Sequence, residues 1–139
     1  MCFAVFIATI APQQTSPFIA GHTDLYLEQP DEKQLAALRD KFTLPYIYYV
    51  GSSGQCSCYF NFHTDQIDNP EFAGHKASAK ALVDLLRRLT TDGAVEYYCC
   101  WEGDWDEPVE ESTTIDVNEL SAENYWVLEE REFVRFERV

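Results

Sequence analysis

Apolar and polar positions alternate along this chain in two rhythms. Residues 2–10 are an almost unbroken apolar run rich in β-branched and aromatic side chains. Such a run predicts a strand covered on both faces, and hence a central one. Pro12, Pro17 and Gly21 mark residues 12–22 as a loop. Residues 24–28 alternate and predict a short strand. Pro30-Asp31-Glu32 then opens a helix, with carboxylates where the helix dipole favours them. Its apolar stripe is Leu35, Leu38 and Phe42, and it is expected to run to about Thr43, because Pro45 disfavours helical geometry at Leu44. Residues 46–50 predict a strand. Gly51 to Gln55 predict a turn. Residues 56–63 alternate again, with Cys56, Cys58, Phe60 and Phe62 on one side and Ser57, Tyr59, Asn61 and His63 on the other. Together these segments predict a β-hairpin.

The clearest helix covers residues 76–91, where Leu82, Leu85, Leu86 and Leu89 repeat at helical spacing. Asp92-Gly93 ends it. Residues 94–101 predict a strand with Val95, Tyr97, Cys99 and Trp101 on one face and Glu96, Tyr98 and Cys100 on the other. An acidic loop at 103–112 and a short strand at 113–117 follow, then a turn at 121–124. Residues 125–130 and 132–139 predict two more strands, and Phe133 and Phe136 break strict alternation as a β-bulge would. No repeat or linker divides the 139 residues. The expected fold is a single α+β domain spanning residues 1–139, with a mostly antiparallel sheet of six or seven strands and two helices packed on it.

Charge narrows the partners. Ten basic residues against 24 acidic ones give a net charge of −14. Nucleic-acid binders draw affinity from neutralising phosphates, so nucleic acid is excluded as a partner, and anionic membranes are disfavoured for the same reason. Residues 101–139 hold 13 acidic residues against three arginines, a net −10. An acidic segment that also contains Trp101, Trp105, Tyr125 and Trp126 suits the docking of a basic protein partner, as in a small inhibitor or immunity-type protein. The surface proposed for this is Trp101, Asp104, Trp105, Asp106 and Glu107.

Five cysteines, at positions 2, 56, 58, 99 and 100, exclude complete disulfide pairing within one chain. The apolar start carries no basic leader and is too short to span a bilayer. The expected compartment is therefore the cytoplasm, where thiols stay reduced. A zinc or redox site built from Cys56 and Cys58, with Cys99 or Cys100 and with Cys2, is the alternative chemistry. Zinc takes about four Cys or His ligands, and His63 and His75 are further donors. Against it, an extended Cys-x-Cys separates its side chains by roughly 6.5–7 Å. Cys99 and Cys100 should also face opposite ways.

Three weaker patterns are also present. Cys2 resembles an N-terminal nucleophile only if Met1 is removed. Gly51 to Cys56 lacks the Gly-Lys-Ser ending of a phosphate loop. Asp104-Trp105-Asp106-Glu107 does not continue as a calcium-binding loop. No catalytic grouping stands out, so a binding domain is expected rather than an enzyme.

The opening Met-Cys and the stretch Tyr48-Tyr49-Val50-Gly51-Ser52-Ser53-Gly54-Gln55-Cys56-Ser57-Cys58-Tyr59-Phe60 resemble a group of small uncharacterised bacterial proteins. These begin with Met-Cys and carry Tyr-Val-Gly-Ser, then Cys-x-Cys and an aromatic. The resemblance implies a bacterial, cytoplasmic protein whose signature is this hairpin. Gln55 departs from it, standing where a less bulky residue is expected.

Overall fold

The apolar run at the start of the chain becomes the middle of the sheet. The structure is a computed structural model that describes residues 2–121, 123–125 and 129–139. Strand β1 (Phe3–Thr9) lies between β3 (Tyr46–Ser52) and β4 (Val95–Trp101). β2 (Leu25–Glu28) pairs outside β3, and β6 (Glu132–Glu137) outside β4. β5 (Glu111–Asp116) forms the far edge, giving the order β2-β3-β1-β4-β6-β5. Every pairing is antiparallel except β5 with β6. The expected α+β fold is present, with six strands among the described residues.

Both faces of β1 are buried because a helix covers each side. Helix α2 (Ala73–Leu89) lays Leu82, Val83, Leu85, Leu86 and Leu89 on Val5, Ile7, Tyr48, Val50, Tyr97 and Cys99. On the other face Leu38 of helix α1 (Glu32–Leu38) packs with Phe42 against Phe6, Ile47, Tyr98 and Cys100. Alternation thus sends Cys99 to one core and Cys100 to the other. Gly93, at φ +148°, turns the chain out of α2 into β4.

Four expectations need correction. First, α1 ends at Leu38, well before Thr43. Lys41 and Phe42 N–H groups both return to the Leu38 carbonyl, at 2.9 and 3.2 Å. The buried carboxylate of Glu96 then accepts from Thr43 N, Thr43 Oγ1 and Leu44 N, each at 2.8 Å, which fixes the loop to β4. Second, β4 and β6 keep a continuous register from Val95↔Phe136 to Cys99↔Glu132, with no bulge. Phe133 packs toward Phe42 and Phe136 toward Tyr97, so each aromatic serves a different core. Third, Tyr125, Glu129 and Glu130 are not in a strand; Trp126, Val127 and Leu128, the rest of that expected strand, lie outside the described residues. Fourth, residues 56–63 form no hairpin strand. Ser57–Phe60 is a 3-10 turn, and this change makes the candidate site.

Candidate functional site

Alternate N–H groups of an antiparallel strand point to the same neighbour. On β1 those of Phe3 and Val5 point toward β3, yet the β1–β3 pairing ends at Val5↔Val50. Beyond Val50, β3 follows β2 instead, pairing Gly51 with Tyr26 and Ser52 with Leu25. The 3-10 turn occupies the space this leaves. The fully buried Ser57 hydroxyl accepts from Val5 N at 3.0 Å and donates to Val50 O at 2.6 Å, so it is inserted into the missing ladder bond. Phe3 N donates to Cys58 Sγ at 3.3 Å. Ser57 thus satisfies buried backbone that a direct β1–β3 ladder bond would have satisfied itself.

The consequence is a thiol cluster. One sulfur each from Cys2, Cys56 and Cys58 lies within 4.8 Å of the other two, and all three residues are half-buried. The 3-10 turn that begins at Ser57 and carries Cys58 removes the separation a fully extended Cys-x-Cys would impose. Cys56 is the sulfur best suited to carry charge. Burial pushes its pKa up, but the Cys58 backbone N–H and the Cys2 and Cys58 thiols donate to it and hold it below its usual value. Cys2 is raised, chiefly by its hydrogen bond to Cys56. Cys58 is pushed up to about 12, mainly by burial, although the Phe3 N–H opposes this. Cys99 and Cys100 are fully buried on opposite faces of β4, outside this cluster. Burial raises both, Cys100 to about 12.

Zinc–sulfur bonds of about 2.3 Å in a tetrahedral site place sulfurs roughly 3.8 Å apart. The three sulfurs, all within 4.8 Å of one another, are at most about 1 Å beyond that spacing. Thiols are the donor type that zinc and cuprous copper take, and this cluster supplies three of the roughly four that zinc needs.

Beside Cys56 is a cleft of about 240 Å³. Tyr26, Tyr49 and Trp105 supply aromatic walls, and Glu28 and Glu102 supply carboxylates. Gln34 and Gln55 complete it. The buried Phe6 lies against two of the walls, edge-on to Tyr49 at 5.7 Å and to Trp105 at 5.6 Å. Tyr26 lies flat over Gly51, where an added Cβ would come 2.1 Å from its ring, and its hydroxyl donates to Gln55 O at 2.6 Å. Gly51 is therefore required by close approach. The sequence set Glu102 only among the acidic-loop carboxylates and did not single out Tyr26 or Tyr49; the cross-strand pair Tyr26↔Gly51 that builds this wall depends on β2 lying beside β3.

The acidic surface residues are placed separately. Trp101 stacks on Phe3 at 4.1 Å, and Trp105 rests on Phe6. Their loop is tied down through its backbone: Lys41 Nζ donates to Trp105 O, and Tyr98 OH donates to Glu107 O. Asp104 is half-buried, while Asp106 and Glu107 are exposed and Glu107 pairs with Arg131 at 3.5 Å. At the far sheet edge, carboxylates of Glu111, Glu129 and Glu132 approach within 4.8 Å of one another. Trp126, expected among the docking aromatics, lies outside the described residues. No helix among the described residues is long and apolar enough to cross a membrane. No family model, curated protein or solved structure matches the chain.

Proposed function

We propose that Cys2, Cys56 and Cys58 form a centre for one soft metal ion, zinc or cuprous copper, with its fourth position open to solvent or to a ligand. The observation that carries this reading is the convergence of three thiols from two distant parts of the chain within 4.8 Å. Thiolate donors select such ions over magnesium or calcium. A reducing cytoplasm would keep the thiols available. The metal would lower the pKa values of Cys2 and Cys58 as it displaced their protons.

The test is elemental analysis of protein produced without added metal, with parallel thiol counting. The expected result is about one ion per chain, lost in Cys2→Ser, Cys56→Ser and Cys58→Ser and kept in Cys99→Ala. Metal-free protein with five titrating thiols overturns the proposal. A disulfide within the cluster would instead assign it to thiol redox chemistry.

Docking of a basic protein on the outward carboxylates of the 102–110 loop is a second proposal, supported by the exposure of Asp106 and Glu107. Capture of a basic partner should fail in Asp104→Lys/Asp106→Lys, and unchanged capture removes it.

A further inference from the structure

We propose that the 240 Å³ cleft beside Cys56 binds a small organic cation, an alkylammonium group, held between the rings of Tyr26, Tyr49 and Trp105 and the carboxylates of Glu28 and Glu102. This goes beyond the metal centre and does not require it, because the rings and carboxylates are in place in the chain itself. Four features select this ligand class.

Three of the eight residues lining the cleft are aromatic, Tyr26 being nearly buried between Gly51 and Phe18. Tyr26 and Tyr49 have ring centroids 6.4 Å apart and inclined at 54°, and Trp105 is braced edge-on by Phe6. A ring face attracts a cation through its quadrupole, with most effect where water is partly excluded. The rings are also fixed. Tyr26 is held over Gly51 by its hydrogen bond to Gln55 O, so little ordering remains to be done on binding.

The charge has one sign. Glu28 and Glu102 line the cleft, and no lining residue is Lys or Arg. Both tyrosines stay neutral phenols: burial raises each, and the neighbouring carboxylates Glu28 and Glu102 raise them further. An anion would therefore meet repulsion, whereas a cation meets two counter-charges. The net charge of −14 adds a long-range attraction for cations.

The cleft is small. It accommodates an amine or its methylated derivatives, but not a folded protein surface. A neutral ligand of the same shape would fill the volume and forfeit the electrostatic part.

The test compares choline with 3,3-dimethyl-1-butanol, which has the same shape without the charge, by calorimetric titration of the full chain. Choline is expected to bind saturably and at least about tenfold more tightly than the alcohol, the ratio for a cation–ring and carboxylate contribution of about 1.4 kcal/mol. Glu28→Gln and Glu102→Gln should each weaken choline several-fold and leave the alcohol unchanged. Both are exposed positions, so the variants should fold, and unchanged circular dichroism checks this. The Cys2→Ser/Cys58→Ser variant should keep choline binding, which separates this result from the fate of the metal centre. Equal affinity for choline and the alcohol, no choline binding at 10 mM, or indifference to both glutamate substitutions overturns the proposal.

Discussion

Glu132 begins β6 with one carboxylate oxygen buried and without a hydrogen-bond partner among the described residues. Burial, then Glu129 and Glu111, push its pKa from 4.5 up to about 7. Between those values the folded chain keeps a proton that the unfolded chain has released. Stability from this group is therefore complete below pH 4.5 and is lost as pH rises through 7. The carboxyl is half exposed, so solvent screening reduces the loss to about 1 kcal/mol. Urea unfolding at pH 5 and pH 8 should show Glu132→Gln gaining on the parent by about that amount at the higher pH. Equal gains at both would exclude the assignment. At this scale the sequence was informative about kind and silent about company: Glu132 read as one charge of a polar strand, and only the parallel β5–β6 pairing brings Glu111 opposite it. Gln55 shows the same division. Its departure from the resemblance was visible, but not the φ of +77° it adopts, a conformation that costs a side-chain-bearing residue roughly 1–2 kcal/mol.

Among the elements, long periodic ones were legible and short ones were not. The leucine spacing of α2 and the apolar run of β1 each state which face is covered, because burial over several turns or residues leaves one answer. The alternation in 56–63 is equally regular, yet Ser57–Phe60 within it forms a 3-10 turn. Phe60 and Phe62 are buried here as a strand would bury them, so the pattern alone could not separate the two. What decided the outcome is Ser57, whose hydroxyl replaces a ladder bond between strands distant in sequence. Ser57→Ala should leave Val5 N–H and Val50 C=O unpaired in the core, at a cost of about 2 kcal/mol in unfolding experiments. It should also loosen the thiol cluster, seen as faster thiol reaction at Cys56. Unchanged stability would mean the hydroxyl is not what holds the turn.

Across the whole molecule, the α+β class, the central first strand and the two covered faces followed from the order of patterns. The strand order and the choice of thiols did not. Of the five cysteines weighed as donors, the fold gathers the first three and divides the last two between the cores, a consequence of which strands flank β1. Cys56 both completes that trio and borders the aromatic cleft. If both proposals hold, that one sulfur would border two occupants, and their affinities could be linked through it. By thermodynamic reciprocity, whatever factor an ion imposes on ammonium binding, the ammonium imposes on the ion. Choline titrated with and without an equivalent of Zn²⁺ reads that factor, and a value of one would mean the sulfur keeps its duties apart. Any other value makes the chain a two-input gate, with its logic held in a single atom.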